Sequence, residues 1–375
     1  MSPRLPSRTS PLSAALGRRG ATSALVLVAA ASLALAGCTK PAEPAGSTSG
    51  GGSGGATPDT AQVTQAASGP TCSLEDYKGD KIDLANAVVG FSQSEKEDNP
   101  FRIAETQSIK DEAAKQGVKQ LLTTNAQSTL SKQISDIQDM IAKGAQALIV
   151  APLNSDGLQP ALEAARAKNI PVITIDRQLT SGACDTYVTF LGSNFVEQGK
   201  RAAQQLIKGT GGQGKVAILL GTSGNGVTTD RTKGFVDEIK ASAPGIQIVA
   251  QQTGDFARDK GQQITEQILQ SNKDVTAIYA ENDEMGLGAQ AAIISAGKTP
   301  GTDIQIYSVD GTKNAVSQIV AGQYNGVIES NPRFGPLAFE TLKKFESGEP
   351  VGQKIIISDS EYDASNAKDK VNAAY

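Results

Sequence analysis

Histidine is absent from the whole chain of 375 residues. A protein without imidazole has no histidine-based catalytic triad and no histidine metal ligand, and it lacks the commonest general base of enzymes. Cysteine is scarce as well, since the chain contains only Cys38, Cys72 and Cys184. We therefore expect no catalytic residue, no metal site and no cofactor.

Two further patterns of catalysis or nucleotide binding are incomplete. The glycine-rich residues 221–226 follow an apolar run, where a phosphate-binding loop would lie, but they lack the Gly-Lys-Ser/Thr ending of such a loop. Asp283 and Glu284 could form the carboxylate pair of an exported glycosidase. Because adjacent residues at one helix start point apart, we regard the glycosidase as the weaker alternative.

Acidic residues are missing from the region before Cys38. Its charges are all basic, and they are Arg4, Arg8, Arg18 and Arg19. The uncharged apolar residues 21–35 are too few to span a membrane and are typical of the hydrophobic part of a signal peptide. We therefore predict an export signal, used by the general route or, through Arg18 and Arg19, by the twin-arginine route.

The sequence Leu-Ala-Gly-Cys ends this region at Cys38. Small residues before a cysteine suit a lipoprotein signal peptidase, so we predict a signal peptide over residues 1–37 and a lipid on Cys38. An ordinary secretory signal with an incidental cysteine is the alternative. Residues 38–70 are rich in Gly, Ser, Ala, Thr and Pro and predict a flexible tether, because they cannot bury enough apolar surface to offset their ordering entropy.

A basic surface is also missing. The chain has 35 Lys and Arg, and removal of the four arginines in the predicted signal peptide leaves 31 against 39 Asp and Glu, a net charge of −8. This balance argues against nucleic acid as a partner. No second long apolar run follows, so we expect contact with the membrane only through the lipid.

Two cysteines remain in the predicted exported body. Thiols outside the cytosol tend to oxidise, so we predict a Cys72–Cys184 disulfide. It would close a loop of over a hundred residues and contribute on the order of 4 kcal/mol. Two separate buried thiols are the alternative.

The body of the chain alternates short apolar runs with amphipathic segments. Residues 147–151 read as a continuous apolar run, as expected for a parallel strand covered on both faces. Residues 130–143 place apolar side chains three or four apart, which predicts a helix with one buried face. This β-α-β-α order predicts doubly wound parallel sheets, and some 300 residues predict two lobes.

In such sheets, ligands bind beyond the carboxyl ends of the strands. The polar residues at the predicted strand ends are Ser92, Gln93, Asn125, Asp176, Arg177, Thr222, Asp255, Asn282, Asp283, Asp310, Glu329, Ser330 and Asn331. Carboxylates, amides and guanidinium groups can hydrogen-bond to vicinal hydroxyls, and Phe101 and Phe256 offer apolar faces. Together they predict a sugar site, although Asp and Asn at strand ends also start turns or cap helices.

The order and spacing of these segments resemble a known family. The motifs are Val89-Gly90-Phe91-Ser92-Gln93, Phe101-Arg102, Ile175-Asp176-Arg177, Asp230-Arg231-Thr232-Lys233-Gly234-Phe235, Gly254-Asp255-Phe256, Asn282-Asp283-Glu284-Met285-Gly286-Leu287-Gly288, Val309-Asp310-Gly311-Thr312-Lys313-Asn314 and Val327-Ile328-Glu329-Ser330-Asn331-Pro332. Over residues 84–375 the chain resembles the periplasmic sugar-binding proteins of the ribose/galactose class, the receptors of ABC importers. Within that class it is most similar to the galactofuranose- and fructose-binding group.

This resemblance implies a role for each matching residue. Asp176 and Arg177 would grip sugar hydroxyls from the first lobe. From the second lobe, the same role would fall to Arg231, Asn282 and Asp310. The ring of Phe256 would stack on the sugar, as would that of Phe101, with Arg102 beside it. Glu329 and Asn331 stand near the place where ribose receptors use an amide, which argues against ribose.

The resemblance also implies an architecture. Residues 84–187 with 332–358 would form one lobe, residues 188–331 with 359–375 would form the other, and three crossovers would join them. Bending of the crossovers would close a monomeric protein on its sugar, and the closed form would engage an ABC permease. Galactofuranose, galactose and fructose are the expected sugars, and arabinose is a further candidate. A sensor that presents sugar to a membrane kinase or chemoreceptor is the functional alternative.

Overall fold

The computed structural model describes residues 64–65 and 69–375. The predicted signal peptide, Cys38 and most of the predicted tether lie outside the described residues. Thr64–Gln65 fall within that predicted tether but form a strand antiparallel to residues 356–357. An edge strand offers unpaired N–H and C=O groups, so it can order a segment that has no core of its own.

The described strands and helices alternate along most of the chain. The strands are β1 (Thr64–Gln65), β2 (Thr71–Cys72), β3 (Val88–Gln93), β4 (Gln120–Asn125), β5 (Ala147–Val150), β6 (Val172–Ile175), β7 (Thr189–Gly192), β8 (Gln213–Leu220), β9 (Gly245–Thr253), β10 (Ala277–Ala280), β11 (Gln305–Asp310), β12 (Gly326–Glu329), β13 (Val351–Gly352), β14 (Lys354–Ile357) and β15 (Glu361–Asp363). The α-helices are α1 (Leu74–Tyr77), α2 (Pro100–Gln116), α3 (Leu130–Ala142), α4 (Gln159–Arg166), α5 (Phe195–Thr210), α6 (Gly226–Ser242), α7 (Arg258–Ser271), α8 (Asp283–Ser295), α9 (Lys313–Val320), α10 (Gly335–Glu346) and α11 (Ala367–Lys370). A 3-10 helix covers Leu84–Asn86.

Two mostly parallel sheets form the centres of two lobes. The first sheet has the order β1-β14-β7-β6-β5-β3-β4, and only β1 runs antiparallel to its neighbour. The second has the order β15-β12-β11-β10-β8-β9, with β15 antiparallel. The predicted α/β class with two parallel-sheet lobes is therefore confirmed.

Helices cover both faces of each sheet. In the first lobe, α2 and α10 pack on one face and α3 and α4 on the other. In the second lobe, α7, α8 and α9 cover one face and α5 and α6 the other. Strands such as β5 and β10 are buried along their whole length, which explains their continuous apolar sequences.

The helix limits follow their local sequence signals. The predicted helix at residues 130–143 is observed at Leu130–Ala142, and Ile137, Met140 and Ile141 on it are buried. Gly117 ends α2 in the left-handed conformation with φ of 68°, as expected for a glycine at a helix C-terminus. Within the described part of the chain, each helix is too short or too polar to cross a membrane.

The chain passes between the lobes three times, after β7, after β12 and after β14. The first passage differs from the predicted boundary at residues 187/188. Thr189–Gly192 hydrogen-bond to β6 and β14, so these residues belong to the first lobe and the crossover begins at Ser193. The four-residue strand runs directly into α5 with only two residues between them, so the sequence carries no turn signal to mark it.

A small second core holds the start of the described body against the first lobe. Cys72, Tyr77, Val188, Phe345 and Val351 are buried together there. Strand β2 pairs with β13, and the sulfur atoms of Cys72 and Cys184 lie within bonding distance, as the sequence predicts. Oxidation of this pair in the cell remains a prediction.

Candidate functional site

A cleft lies between the lobes, beyond the carboxyl ends of strands from both sheets. Its first wall, supplied by the first lobe, consists of Glu95, Asn99, Phe101, Arg102, Asp176 and Arg177. Its second wall, supplied by the second lobe, consists of Val227, Arg231, Phe256, Asn282 and Asp310. Eight of the eleven predicted sugar-binding residues therefore lie together in this cleft.

Arg102 is the centre of the first wall. It is buried, and its Nε donates to Glu95 Oε2 at 2.9 Å. Its Nη1 donates both to Glu105 Oε2 at 2.8 Å and to Asp176 Oδ2 at 2.7 Å. Carboxylates on three sides fix the plane of the guanidinium group, which a lysine could not reproduce.

Glu95 joins the two guanidinium groups of the first wall. Its Oε1 accepts from Arg177 Nη2 at 2.6 Å, while its Oε2 is bonded to Arg102. Burial alone would raise the pKa of Glu95, but Arg177 and Arg102 outweigh it and lower the pKa to about 2. The carboxylate is therefore charged throughout the physiological range.

Glu105 lies behind the first wall and is fully buried. Burial raises its pKa to about 7, with Asp176 adding to the effect and Arg102 opposing it. Its Oε2 also accepts from Gln93 Nε2 at 2.9 Å. Glu105 thus supports Arg102 from the side that faces away from the cleft.

Arg231 on α6 is held differently in the second wall. Its Nε donates to Gln198 Oε1 at 2.9 Å, and its Nη1 donates to the backbone carbonyl of Glu281. Its Nη2 lies 3.7 Å from Asp310 Oδ1, beyond hydrogen-bond distance. Burial raises the pKa of Asp310 despite Arg231.

Asn282 both caps a helix and lines the cleft. Its Oδ1 accepts from Met285 N at 3.0 Å at the start of α8, and its Nδ2 donates to the carbonyl of Phe256 at 3.0 Å. Asn282 therefore caps α8 and lies in the lining as well, because the start of α8 forms part of the cleft. The same bonds fix the loop that carries Phe256.

Part of the strained backbone of the described residues lies at the cleft. Asp176, Asp255, Phe256 and Asp310 have φ angles of 65°, 52°, 59° and 142°. Residues other than glycine rarely adopt these φ angles, and such angles persist only where the surrounding structure enforces them. The strain orients three lining side chains that an ordinary strand end would leave pointing elsewhere.

Two phenylalanine rings border the cleft. Phe101 lies under Arg102, whose Cζ is 4.9 Å from the ring centre, and it packs edge-on against Tyr375 at 6.2 Å. The ring of Phe256 rests on Gly221, where an added Cβ would lie 2.0 Å from the ring. Only glycine at position 221 leaves room for this ring.

Three residues predicted in the site do not line the cleft. Ser92 is buried below it and accepts from Gln133 Nε2 at 3.3 Å. Glu329 turns to the third crossover, where its Oε2 accepts from Ser360 N at 2.9 Å. Asn331 Oδ1 accepts from Arg333 N at 2.9 Å. Glu329 and Asn331 lie at the second crossover, where backbone N–H groups bond to their side chains, whereas Ser92 bonds to a side chain of α3.

The carboxyl pair considered for a glycosidase also lies outside the cleft. Asp283 is buried and accepts from Gly311 N at 3.0 Å and Thr312 N at 2.7 Å. Glu284 forms two bonds of 2.8 Å with Arg258 at the surface. The two side chains point apart, and neither reaches the lining of the cleft.

Sequence reasoning missed Glu95, Asn99 and Val227. Glu95 belongs to a loop between β3 and α2 that has no periodic pattern. Asn99 Oδ1 accepts from Phe101 N at 2.9 Å and caps α2. The pair Asn99-Pro100 is a helix-start signal, and it could have placed this end of α2 beside the cleft.

Charges of opposite sign balance in the lining. Arg102, Arg177 and Arg231 face Glu95, Asp176 and Asp310. The first two arginines make contacts of 2.9 Å or shorter with carboxylates, so neither has an unmatched charge. A ligand with a net charge would disturb this balance, whereas an uncharged polyhydroxyl molecule would preserve it.

The profile of the periplasmic binding protein domain matches residues 89–350. The chain belongs to this family. It is 34% identical to the galactofuranose-binding protein YtfQ of Escherichia coli over 74% of this chain and 87% of that protein. It is 36% identical to the ribose import binding protein RbsB of Bacillus subtilis over 68% of this chain and 81% of that protein.

A solved structure of the same architecture agrees with these relatives. The protein from Mycobacterium smegmatis in complex with β-D-fucofuranose superimposes with a TM-score of 0.73 and is 36% identical, covering 76% of this chain and 94% of that one. As a family member with two lobes joined by three crossovers, the chain is a substrate-binding protein of the type I periplasmic binding fold. The predicted resemblance is confirmed.

Proposed function

We propose that this protein captures a neutral monosaccharide and delivers it to an ABC permease. The equal number of basic and acidic side chains in the cleft carries this proposal, because three arginines and three carboxyl groups can bond to hydroxyls without needing a charge on the ligand. Two phenylalanine rings supply apolar surface for the ring of the sugar. The expected identity is galactofuranose, galactose or fructose, with arabinose as a further candidate.

The relatives support a sugar in its five-membered ring form. The E. coli relative is named for galactofuranose, and the M. smegmatis structure contains fucofuranose. The B. subtilis relative imports ribose, so the family accommodates more than one pentose or hexose. We assign hydroxyl-binding roles to Arg102, Asp176 and Arg177 from one lobe.

From the second lobe we assign the same role to Arg231, Asn282 and Asp310. The proposed cycle is closure of the lobes on the sugar, followed by engagement of the permease by the closed monomer. We further propose export and attachment to the membrane through lipid on Cys38. That anchor would keep the receptor close to its permease without a membrane-spanning helix.

The charge argument is tested with charged derivatives that keep the sugar ring. D-galactose, D-fructose and L-arabinose are titrated calorimetrically, beside D-galacturonate and galactose 6-phosphate. At least one neutral sugar is expected to bind, and each charged derivative is expected to bind at least tenfold more weakly. Preference for the uronate or the phosphate would overturn the proposal of a neutral ligand.

The anchor has a separate test. Cys38→Ser is expected to release the protein from the membrane fraction, because the lipid is attached to the thiol. Fractionation of cells that express either form measures the release. Retention of the variant in the membrane would contradict lipidation at Cys38 and leave the sugar proposal untouched.

A further inference from the structure

One carboxylate connects all three passages between the lobes. Asp359 lies in the third crossover, between β14 and β15. Its Oδ1 accepts from Ser193 Oγ at 3.0 Å in the first crossover. The backbone N–H of Asn331 in the second crossover also donates to its carboxylate. Residues distant in sequence thus meet at a single side chain.

The same carboxylate reaches the cleft through one buried amide. Gln198 on α5 donates from Nε2 to Asp359 Oδ2 at 2.8 Å. Its Oε1 accepts from Arg231 Nε at 2.9 Å, and Arg231 lines the second wall. Gln198 is 1% exposed, so water cannot replace either partner.

The hydrogen-bond directions in this chain leave one arrangement. A carboxylate only accepts and a guanidinium only donates, so the amide must present its nitrogen to Asp359 and its oxygen to Arg231. If the amide were rotated by half a turn, its NH2 group would face the N–H donor of Arg231 and its oxygen would face the carboxylate of Asp359, so both hydrogen bonds would be lost. The position of the crossovers therefore fixes the orientation of the amide, and the amide fixes the guanidinium.

We propose that Asp359 and Gln198 are positioning residues that couple the hinge to Arg231. When the crossovers bend, Asp359 moves relative to α5, and the amide transmits this movement to the guanidinium in the cleft. We call the hydrogen-bonded chain Asp359–Gln198–Arg231 the relay. In the reverse direction, a ligand that holds Arg231 favours the hinge position in which both bonds of the relay are formed. This inference rests on the proposed role of Arg231 in ligand contact.

The surroundings of Asp359 fit this role. Its backbone carbonyl accepts from Arg201 Nη1 at 2.8 Å, so α5 grips the crossover at two points. Glu329 N–H donates to Ser360 O at 3.0 Å and ties the second crossover to the third. A hinge with this many specific bonds can occupy discrete positions rather than bend continuously.

A charge swap tests the relay. Gln198→Glu alone places two carboxylates against each other, and sugar affinity is expected to fall at least tenfold. Adding Asp359→Asn supplies a donor to the new carboxylate, which still accepts from Arg231 Nε. The double variant is expected to regain an affinity within threefold of the wild type. If each substitution were merely a structural defect, the two losses of affinity would add instead.

A matched control lies six residues along the same helix. Gln204 is an exposed amide on α5 that donates to Glu238 Oε1 at 3.3 Å, so Gln204→Glu makes the same change against another carboxylate without touching the relay. Its affinity is expected to stay within twofold of the wild type. Affinities are measured calorimetrically on the full chain with D-galactose and D-fructose.

A second readout needs no sugar. Spin labels at exposed Ser131 on α3 and Lys240 on α6 report the distance between the lobes of the empty protein. Gln198→Glu is expected to shift or broaden this distance, and the double variant is expected to restore it. An unchanged distance in the single variant, or a double variant no better than the single, would overturn the relay. If no sugar binds the wild type, the proposed function fails, while the distances still decide the relay.

Discussion

In the first wall of the cleft, side-chain carboxylates hold the guanidinium groups, whereas in the second wall an amide and a backbone carbonyl hold Arg231. Glu95 bonds to both Arg102 and Arg177, so the first wall is neutralised within itself. In the second wall, Arg231 stands 3.7 Å from Asp310 and keeps bonding capacity for a ligand. The difference suggests that the first wall is a preformed surface and that the second wall adjusts to the ligand.

The largest effect on binding is expected from Arg231→Lys in the adjustable wall. A single ammonium nitrogen cannot span the positions at which the planar guanidinium meets Gln198, the Glu281 carbonyl and a ligand on separate nitrogens, so affinity should fall about 10- to 100-fold. Calorimetry with the best neutral sugar measures the loss. Lys233→Ala, an exposed change on the same helix, is the matched control. Equal affinities for Arg231→Lys and the wild type would remove the distinction between the walls.

A smaller effect is expected from Glu95→Gln in the preformed wall. The substitution keeps the shape but leaves Arg102 and Arg177 with one carboxylate fewer, so neutral sugar should bind about tenfold more weakly. Binding of D-galacturonate should improve, because the cleft loses one negative charge. Glu97→Gln in the same loop is exposed and serves as the control. If the variant still rejects the uronate, the charge balance does not set ligand preference.

Acidification acts on both walls and is expected to shift the melting temperature by a few degrees. Burial raises the pKa of Glu281 to about 7 and that of Asp283 to about 6 behind the second wall, and it raises the pKa of Glu105 to about 7 behind the first. Their folded pKa values exceed the unfolded ones, so protonation favours the folded state as the pH falls from 8 to about 5. The pKa of Glu95 is lowered on folding, so its ionised form stabilises the folded state. This contribution to the free energy of unfolding is lost only as the pH falls below about 4.5 toward 2.

We therefore expect the melting temperature of the empty protein to rise between pH 8 and pH 5 and to fall at lower pH. Differential scanning calorimetry across this range measures the profile. Glu281→Gln should reduce the rise, since an amide at that position takes up no proton. A melting temperature that falls steadily from pH 8 would contradict the expectation.

The smallest effect on the cleft is expected from removal of the cysteine pair. Replacing Cys72 and Cys184 by serine should lower the free energy of unfolding by on the order of 4 kcal/mol. Sugar affinity should stay within twofold, because both walls are built from other segments. Thiol titration of the unreduced protein provides the check on the bond itself, and two free thiols would contradict it. A large loss of affinity would make the first wall dependent on this distant core.

Much of the site follows from one rule applied to the sequence. Asp176, Asn282 and Asp310 come directly after apolar runs, and parallel strands bring such residues to one edge of a sheet. Glu95 escaped prediction because a loop without periodicity gives no information on where its side chains point. Ser92 and Glu329 were placed in the site by the same rule, but neighbouring bonds turn one below the cleft and the other to a crossover.

The fold could be predicted except where segments are very short. The long amphipathic helices and the apolar strands carry strong periodic signals, and these produced the correct class and the two lobes. The strands β1, β2 and β13 have two residues each and exist only because another strand lies beside them. Strand β7 has four residues and no turn before α5, so the predicted first crossover fell too early.

The arrangement of the early residues determines where mechanical force enters the protein. Tension on the chain before Cys72 would reach the folded body through the β1–β14 pairing, the β2–β13 pairing and the predicted disulfide to Cys184. All three points lie on the first lobe. A force on the chain before Cys72 would therefore act on the first lobe alone, and the second lobe could move without opposing that force.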